Sequence, residues 1–261
     1  MPELPDVEIF KQYMDATALH QKTDSVRIRN KKVLADVSSK QLQMTLKGRR
    51  FESTTRHGKH LLAQMDNGKF LTIHFGMTGF LKYYKNTDDE PEHSRVLIRF
   101  TNGFHLAYVC QRMLGKVGLA DSVRKFIEDR RLGPDALNLD METFHRMLAG
   151  KRGSIKSALM NQNLLAGMGN IYSEEILYHS GVRPTAQVKS LNSKTIKKIF
   201  RNMKKVLDRA IECRVDPAKF PNSYLLPHRH KGEECPRCGA TLQQEKVNQR
   251  TAYYCPECQP G

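Results

Sequence analysis

The sequence predicts an α+β chain of several domains: an N-terminal antiparallel β-sandwich entered by one helix, a helical domain, and a C-terminal zinc ribbon. Three features lead there. Short β-rich runs alternate with turn signals between residues 23 and 109, helical periodicity takes over from residue 141, and four cysteines form two C-x-x-C pairs near the C-terminus. A length of 261 residues leaves room for more than one core. Lys and Arg number 43 against 27 Asp and Glu, a net charge of +16. That balance favours a polyanionic partner, nucleic acid before an anionic membrane surface.

The elements follow in order. Residues 6–19 place Val7, Phe10, Tyr13 or Met14, and Ala18 at helical spacing. Pro5 and Asp6 suit the first turn, where a missing N–H costs nothing and negative charge is favoured. In the β-rich region, Asp66-Asn67-Gly68 and Thr101-Asn102-Gly103 are strong hairpin signals. Residues 121–137 form a charged stretch containing Gly133-Pro134 and read as a crossing between domains. Helical patterns then run through METFHRMLAG, SIKSALMNQNLLAG, NIYSEEILYHSG and SKTIKKIFRNMKKVLDRAIE. In the last, Ile196, Ile199, Phe200, Met203, Val206, Leu207 and Ala210 share one face. Lys194, Lys197, Lys198, Arg201, Lys204 and Lys205 share the other, which reads as a solvated basic face. Residues 214–231, with three prolines, read as a loop or linker. The expected division is a sandwich domain over 1–120, a linker over 121–137, a helical domain over 138–231 and a zinc hairpin over 232–261.

Cys235, Cys238, Cys255 and Cys258 suit one tetrahedral zinc ion, with a β-hairpin between the two knuckles. Such ribbons are structural, so the ion is expected to hold the hairpin and not to react. Unpaired Cys110 and Cys213 fit a reducing compartment better than a disulfide framework. No apolar run approaches the roughly 20 residues that a membrane span needs, and no secretory leader is visible. A cytoplasmic, nucleoid-associated protein is expected.

The N-terminal Met-Pro-Glu-Leu-Pro-Asp-Val-Glu carries potential chemistry of its own. Removal of Met1 would leave Pro2 as a secondary amine. An α-amine has a reference pKa near 8, so part of it is neutral and able to attack a carbonyl carbon. The positive end of a helix beside it would favour that neutral form, and Glu3 is an adjacent candidate proton shuttle.

Taken together, Pro-Glu-Leu-Pro-Asp-Val-Glu, His-Phe-Gly-Met-Thr-Gly (74–79), Gly-Met-Gly-Asn-Ile-Tyr (167–172) and the cysteine ribbon with Gln249-Arg250 resemble the formamidopyrimidine-DNA glycosylase and endonuclease VIII family. The Leu4 version of the N-terminal motif is closer to the formamidopyrimidine branch. The resemblance implies a helix–two-turn–helix element in the helical domain. It also implies a base-excision repair enzyme that removes oxidised or ring-opened bases from double-stranded DNA. Pro2 would attack C1′ and form a Schiff base, with cleavage by β,δ-elimination. Glu3 would transfer protons, and Lys59 would be the catalytic hairpin lysine. Lys156, Asn170 and Arg250 fall at phosphate-binding positions. For Asn170 the residues themselves suggest a helix N-cap whose free N–H groups meet a phosphate.

Met77, Arg112 and Leu114 fall where the family fills the space left by a flipped base. Leu114 stands in place of an aromatic residue, Asp6 in place of a glutamate, and residues 214–231 are shorter than the family segment that covers flipped 8-oxoguanine. One structural zinc, no redox cofactor, damaged duplex DNA as partner and a monomer are expected. The competing reading is a non-catalytic damage-sensing or architectural DNA-binding protein on the same scaffold, which would need neither a free Pro2 nor Lys59.

Overall fold

The computed structural model describes residues 1–230 and 232–260. Lys231 and Gly261, which end the expected helical domain and zinc hairpin, lie outside the described residues. The chain divides into two compact units, one of Met1–Pro2 and Asp6–Arg131, the other of Glu3–Pro5 and everything from Leu132 onward.

After α1 (Leu4–Thr17), the first unit is a sandwich of two four-stranded antiparallel sheets. One orders β1 (Thr23–Ile28), β6 (Ser94–Phe100), β7 (His105–Val109) and β5 (Phe80–Tyr84). The other orders β2 (Phe51–His57), β3 (His60–Met65), β4 (Phe70–His74) and β8 (Lys116–Ala120). Inward side chains such as Leu61, Ile73, Leu81, Val96, Ile98, Leu106 and Val117 make the core. Both expected hairpins form. Gly68 and Gly103 take φ of 79° and 84°, and the Asn67 and Asn102 carboxamides accept from the backbone two residues on.

Two helices lie where strands or a bare connector were expected. α2 (Ser39–Leu46) is capped by Ser38 and buries only Leu42 and Leu46, too short a periodic signal to stand out in sequence. α3 (Val123–Asp129) occupies the stretch read as a crossing, capped by Ser122 and anchored by buried Phe126.

The second unit packs α4 (Met141–Leu148), α5 (Ile155–Met160), α6 (Asn170–Ser180) and α7 (Ser193–Glu212) around one apolar core. α7 buries the predicted face, with Phe200 half-buried at its margin. α6 is buried nearly all round and ends at Gly181, whose φ of 67° forms a left-handed cap. Burial of α6 includes Glu174 and Glu175, two carboxylates that a core accepts only with partners. The ribbon pairs β9 (Gln243–Val247) with β10 (Arg250–Tyr254). Among the described residues, no helix is long and apolar enough to cross a membrane.

Candidate active site and nucleic-acid interface

Glu3 is 1% exposed, and both its oxygens are occupied at the start of α6. Oε2 accepts from the backbone N–H groups of Gly169 at 2.7 Å and Tyr172 at 3.3 Å, and Oε1 accepts from Ile171 at 2.8 Å. A carboxylate at a helix N-terminus meets unpaired donors and the positive end of the dipole. The approach requires Gly169, because a Cβ there would stand 2.3 Å from Glu3 Cδ. Leu4 N–H donates to Gly167 O at 3.0 Å, and Gly167 takes φ of 110° against the Leu4 side chain.

This geometry corrects the N-cap assignment of Asn170: Gly169 is the N-cap and Asn170 the first helical residue, and Glu3 accepts from the N–H groups of Gly169, Ile171 and Tyr172. Asn170 Nδ2 donates to Thr251 O at 3.1 Å, tying α6 to the strand β10, whose first residue is exposed Arg250. Asn248 and Gln249 turn that hairpin with φ of 47° and 62°, as a two-residue loop requires. Arg250 lines an open hollow of about 420 Å³ with Lys151, Arg152, Ser157, Asn161 and Asn248. Lys151 and Arg152 were missed in the sequence, where the only signal was a basic pair before Gly153-Ser154.

Lys156 is fully buried and ion-paired with Glu174, itself fully buried. Arg229 closes the other side of Glu174, with Nε and a terminal nitrogen each 2.7 Å from Oε2. Burial lowers the pKa of Lys156, opposed by the Glu174 charge, and burial raises that of Glu174, opposed by Lys156 and Arg229. The adjacent Glu175 accepts from the N–H groups of Leu225 at 2.9 Å and Leu226 at 2.7 Å. Residues 214–230 are therefore a pinned loop packed into the core through Phe220, Tyr224 and Leu225, not a linker.

In the first unit, Pro2 is half-buried and Lys59 is 8% exposed in the turn between β2 and β3. Arg56 supports that turn. Its Nε donates to Glu8 at 2.8 Å and another guanidinium nitrogen donates to Gly58 O at 3.2 Å. The three wedge candidates come together from distant positions. Met77 and Leu114 are 38% and 51% exposed, and exposed Arg112 donates its backbone N–H to Thr78 Oγ1 at 3.3 Å. Gly76, at φ of 63°, lets the two loops touch, since a Cβ there would lie 2.4 Å from Gly115 N.

His60, His74, Thr72, Lys116, Phe126 and Arg130 line a cavity of about 220 Å³ on the same unit. Burial, then His74 and Arg130, pushes the His60 pKa down to about 3; burial, then Lys59 and Arg130, pushes that of His74 down to about 4. The unfolded chain protonates both near 6.5. It therefore binds more protons than the folded one below about pH 6.5, and stability falls with pH by up to about 1.4 kcal/mol per pH unit for each histidine. His60→Gln should flatten the dependence of unfolding free energy on pH between about 6.5 and 4 in urea titrations. An unchanged slope would mean that His60 is protonated in the folded protein.

The four ribbon thiols lie within 4.8 Å of one another, at 3.5 Å for Cys238–Cys255 and Cys238–Cys258 and 3.8 Å for Cys235–Cys258. A tetrahedron with metal–sulfur bonds of roughly 2.3 Å separates its sulfurs by about 3.8 Å. The cage fits a closed zinc site, and Tyr178 on α6 contacts it through Oη, 3.3 Å from Cys235 Sγ.

Sandwich, helical unit and thiol cage define a zinc-ribbon protein that exposes a basic hollow and, on its sandwich, apolar side chains. Family models match along its length: the formamidopyrimidine-DNA glycosylase N-terminal domain over residues 1–117, the H2TH domain of the same enzymes over 132–220, and a zinc finger found in FPG and IleRS over 232–261. A formamidopyrimidine-DNA glycosylase of Syntrophomonas wolfei is 31% identical over 274 residues, covering 99% of this chain and 100% of that one. One of Pelotomaculum thermopropionicum is 29% identical, covering 99% of each. Among solved structures, the Lactococcus lactis Fpg in complex with abasic-site DNA superposes with a TM-score of 0.90 at 26% identity, covering 99% of this chain and 100% of that one. A point mutant of the same Lactococcus enzyme with Fapy-dG DNA gives 0.91 at 26% identity over the whole of both chains. The chain belongs to the formamidopyrimidine-DNA glycosylase family, base-excision repair enzymes of DNA.

Proposed function

We propose that this chain excises ring-opened and oxidised bases from duplex DNA and then cleaves the abasic strand, with Pro2 as nucleophile once Met1 is removed. The observation that carries the reading is the Glu3 carboxylate, fixed on the N-terminus of α6 in direct sequence with Pro2. The amine displaces the base at C1′, the C1′–O4′ bond opens as O4′ takes a proton, and the resulting iminium withdraws electrons, so the C2′ proton becomes acidic and the phosphates can leave. Glu3 moves protons at the sugar, and Lys59 contacts the lesion and its phosphate. Met77 and Leu114 fill the vacated stack, while Arg112 faces the widowed base. Arg250, with Lys151 and Arg152, holds backbone phosphates. In this reading Lys156 acts from within, orienting Glu174 and Arg229, and Asn170 positions the hairpin.

One zinc ion on Cys235, Cys238, Cys255 and Cys258 would order that hairpin and supply no chemistry. The enzyme would act as a cytoplasmic, nucleoid-associated monomer. Glu3→Gln should lower excision of an intact damaged base by about 10²–10⁴-fold, the usual scale for a lost acid–base group. Cleavage at a preformed abasic site should fall much less, because base departure is already complete. Equal losses on the two substrates would remove Glu3 from the glycosylase step.

The pinned loop of residues 214–230 bears on the lesion. Both its middle and its Arg229 end are held by buried carboxylates, so a mobile cover over 8-oxoguanine finds little support. Ring-opened purines and hydantoin-type products should be excised in preference to 8-oxoguanine in competition on matched duplexes. A dominant preference for 8-oxoguanine opposite cytosine would place recognition in another element.

A further inference from the structure

α7 carries a charge pattern that the proposed reaction does not use. Lys194, Lys197, Lys198, Arg201 and Lys205 are all exposed, and among the described residues none forms an ion pair with a carboxylate. Several other helical cations pair with a carboxylate within a turn. Lys11 pairs with Asp15 at 2.8 Å, Arg124 with Glu128 at 3.0 Å and Arg146 with Glu142 at 3.6 Å; at the end of α7 itself, Arg209 pairs with Glu212 at 3.0 Å. Lys194 with Lys198, Lys197 with Arg201, and Arg201 with Lys205 are like charges four residues apart, which weakens a helix. Lys204, the remaining cation of the stretch, is half-buried, with Nζ donating to Leu137 O at 2.5 Å. The uncompensated charge is thus confined to the outer face.

This face also lies away from the hollow lined by Arg250. Lys198 Nζ is 3.6 Å from where a Cβ on Gly181 would stand, at the C-terminal end of α6. Asn170 and the Arg250 hairpin meet at the other end, and an 11-residue helix separates its ends by about 16 Å. The chemistry of the face selects its partner. A helix that binds a membrane inserts an apolar face, but the apolar face of α7 is committed to the core. What remains is a row of cations suited to a repeating polyphosphate.

We propose that the outer face of α7 is a second, sequence-independent contact surface for duplex DNA, able to engage another segment before the first is released. The inference rests on the DNA-repair reading above. From Lys194 to Lys205 the face is about 16 Å long, enough for two or three phosphates, so it should contribute about 2 to the slope of log affinity against log salt.

The test compares the wild-type chain with a variant carrying Lys194→Gln, Lys197→Gln, Lys198→Gln, Arg201→Gln and Lys205→Gln. A second variant exchanges Lys and Arg at the same positions and keeps the charge. Release from a fluorescent undamaged duplex is followed against increasing unlabelled duplex. The wild-type and charge-keeping proteins should leave faster as competitor rises, while the Gln variant should leave at a constant rate with a salt slope lower by about 2. All should excise a damaged base from a short duplex equally well. Competitor-independent release of the wild-type protein, or unchanged competitor dependence in the Gln variant, would overturn the inference. So would capture of the wild-type protein by phosphatidylglycerol vesicles without a second duplex binding. Absence of excision by the wild-type protein would instead reject the repair reading itself.

Discussion

Borohydride reduction of the processed protein on an abasic-site duplex should leave a covalent adduct on Pro2, located by peptide mapping. A residue placed ahead of Pro2, or retained Met1, turns the proline nitrogen into an amide with no nucleophilic lone pair. Trapping and strand cleavage should then fall by roughly three orders of magnitude or more, the scale on which loss of a nucleophile acts. Pro2→Gly should keep some trapping, since a primary amine remains. Lys59 is the rival nucleophile, but a lysine amine starts near pKa 10.4 and a proline amine nearer neutrality, so the proline offers more free amine. The proline amine needs less tuning. An adduct mapped to Lys59, or full activity with no adduct, would sink the mechanism. Mass spectrometry of the native N-terminus supplies the companion measurement, because the reaction requires that Met1 be gone.

The second large effect is expected at Glu174. It is fully buried between the fully buried Lys156 ammonium and Arg229, whose side chain is 17% exposed. Glu174→Gln leaves two cations in the core without their counter-charge. Breaking a buried pair from one side costs about 3–5 kcal/mol, well beyond what an exposed pair contributes. Urea unfolding of the holoprotein should show a loss of that order. A companion Lys156→Met, Glu174→Leu double substitution should recover much of it, because the desolvation of both charges disappears along with their attraction. If Glu174→Gln were within about 0.5 kcal/mol of the wild-type protein, the pair would be solvated in solution, contrary to the structure. The double variant also separates two roles for Lys156. Retained DNA affinity fits a buried structural cation, whereas a loss of affinity in the stable double variant would return Lys156 to phosphate contact. The same experiment touches the loop, since Arg229 reaches from Glu174 to the Tyr253 ring, 5.2 Å away on the ribbon.

Features whose physics is local were legible in the chain before any fold was known. Turn chemistry at Asn67-Gly68 and Asn102-Gly103 marked two sandwich hairpins, and the spacing of Cys235, Cys238, Cys255 and Cys258 identified the thiol cage. Apolar periodicity over 193–212 drew the buried face of α7. The N-terminal motif, with the glycine turn at 167–170, pointed to the family. Features that depend on partners far apart in the chain became visible only in three dimensions. Glu3 reaches α6 across 166 positions and accepts from three backbone N–H groups at its start. The resemblance placed Lys156 at a phosphate-binding position, and only the fold shows Glu174 and Arg229 enclosing it. Residues 214–230 look like a linker because their order comes from Glu175 carboxylate bonds to backbone N–H groups, which leave no periodicity to read. Met77 and Leu114 are the sharpest case. The resemblance singled them out, but nothing local in the sequence says whether they are exposed, and it is the approach of Gly76 to Gly115 that sets them on adjacent loops with their side chains open to solvent.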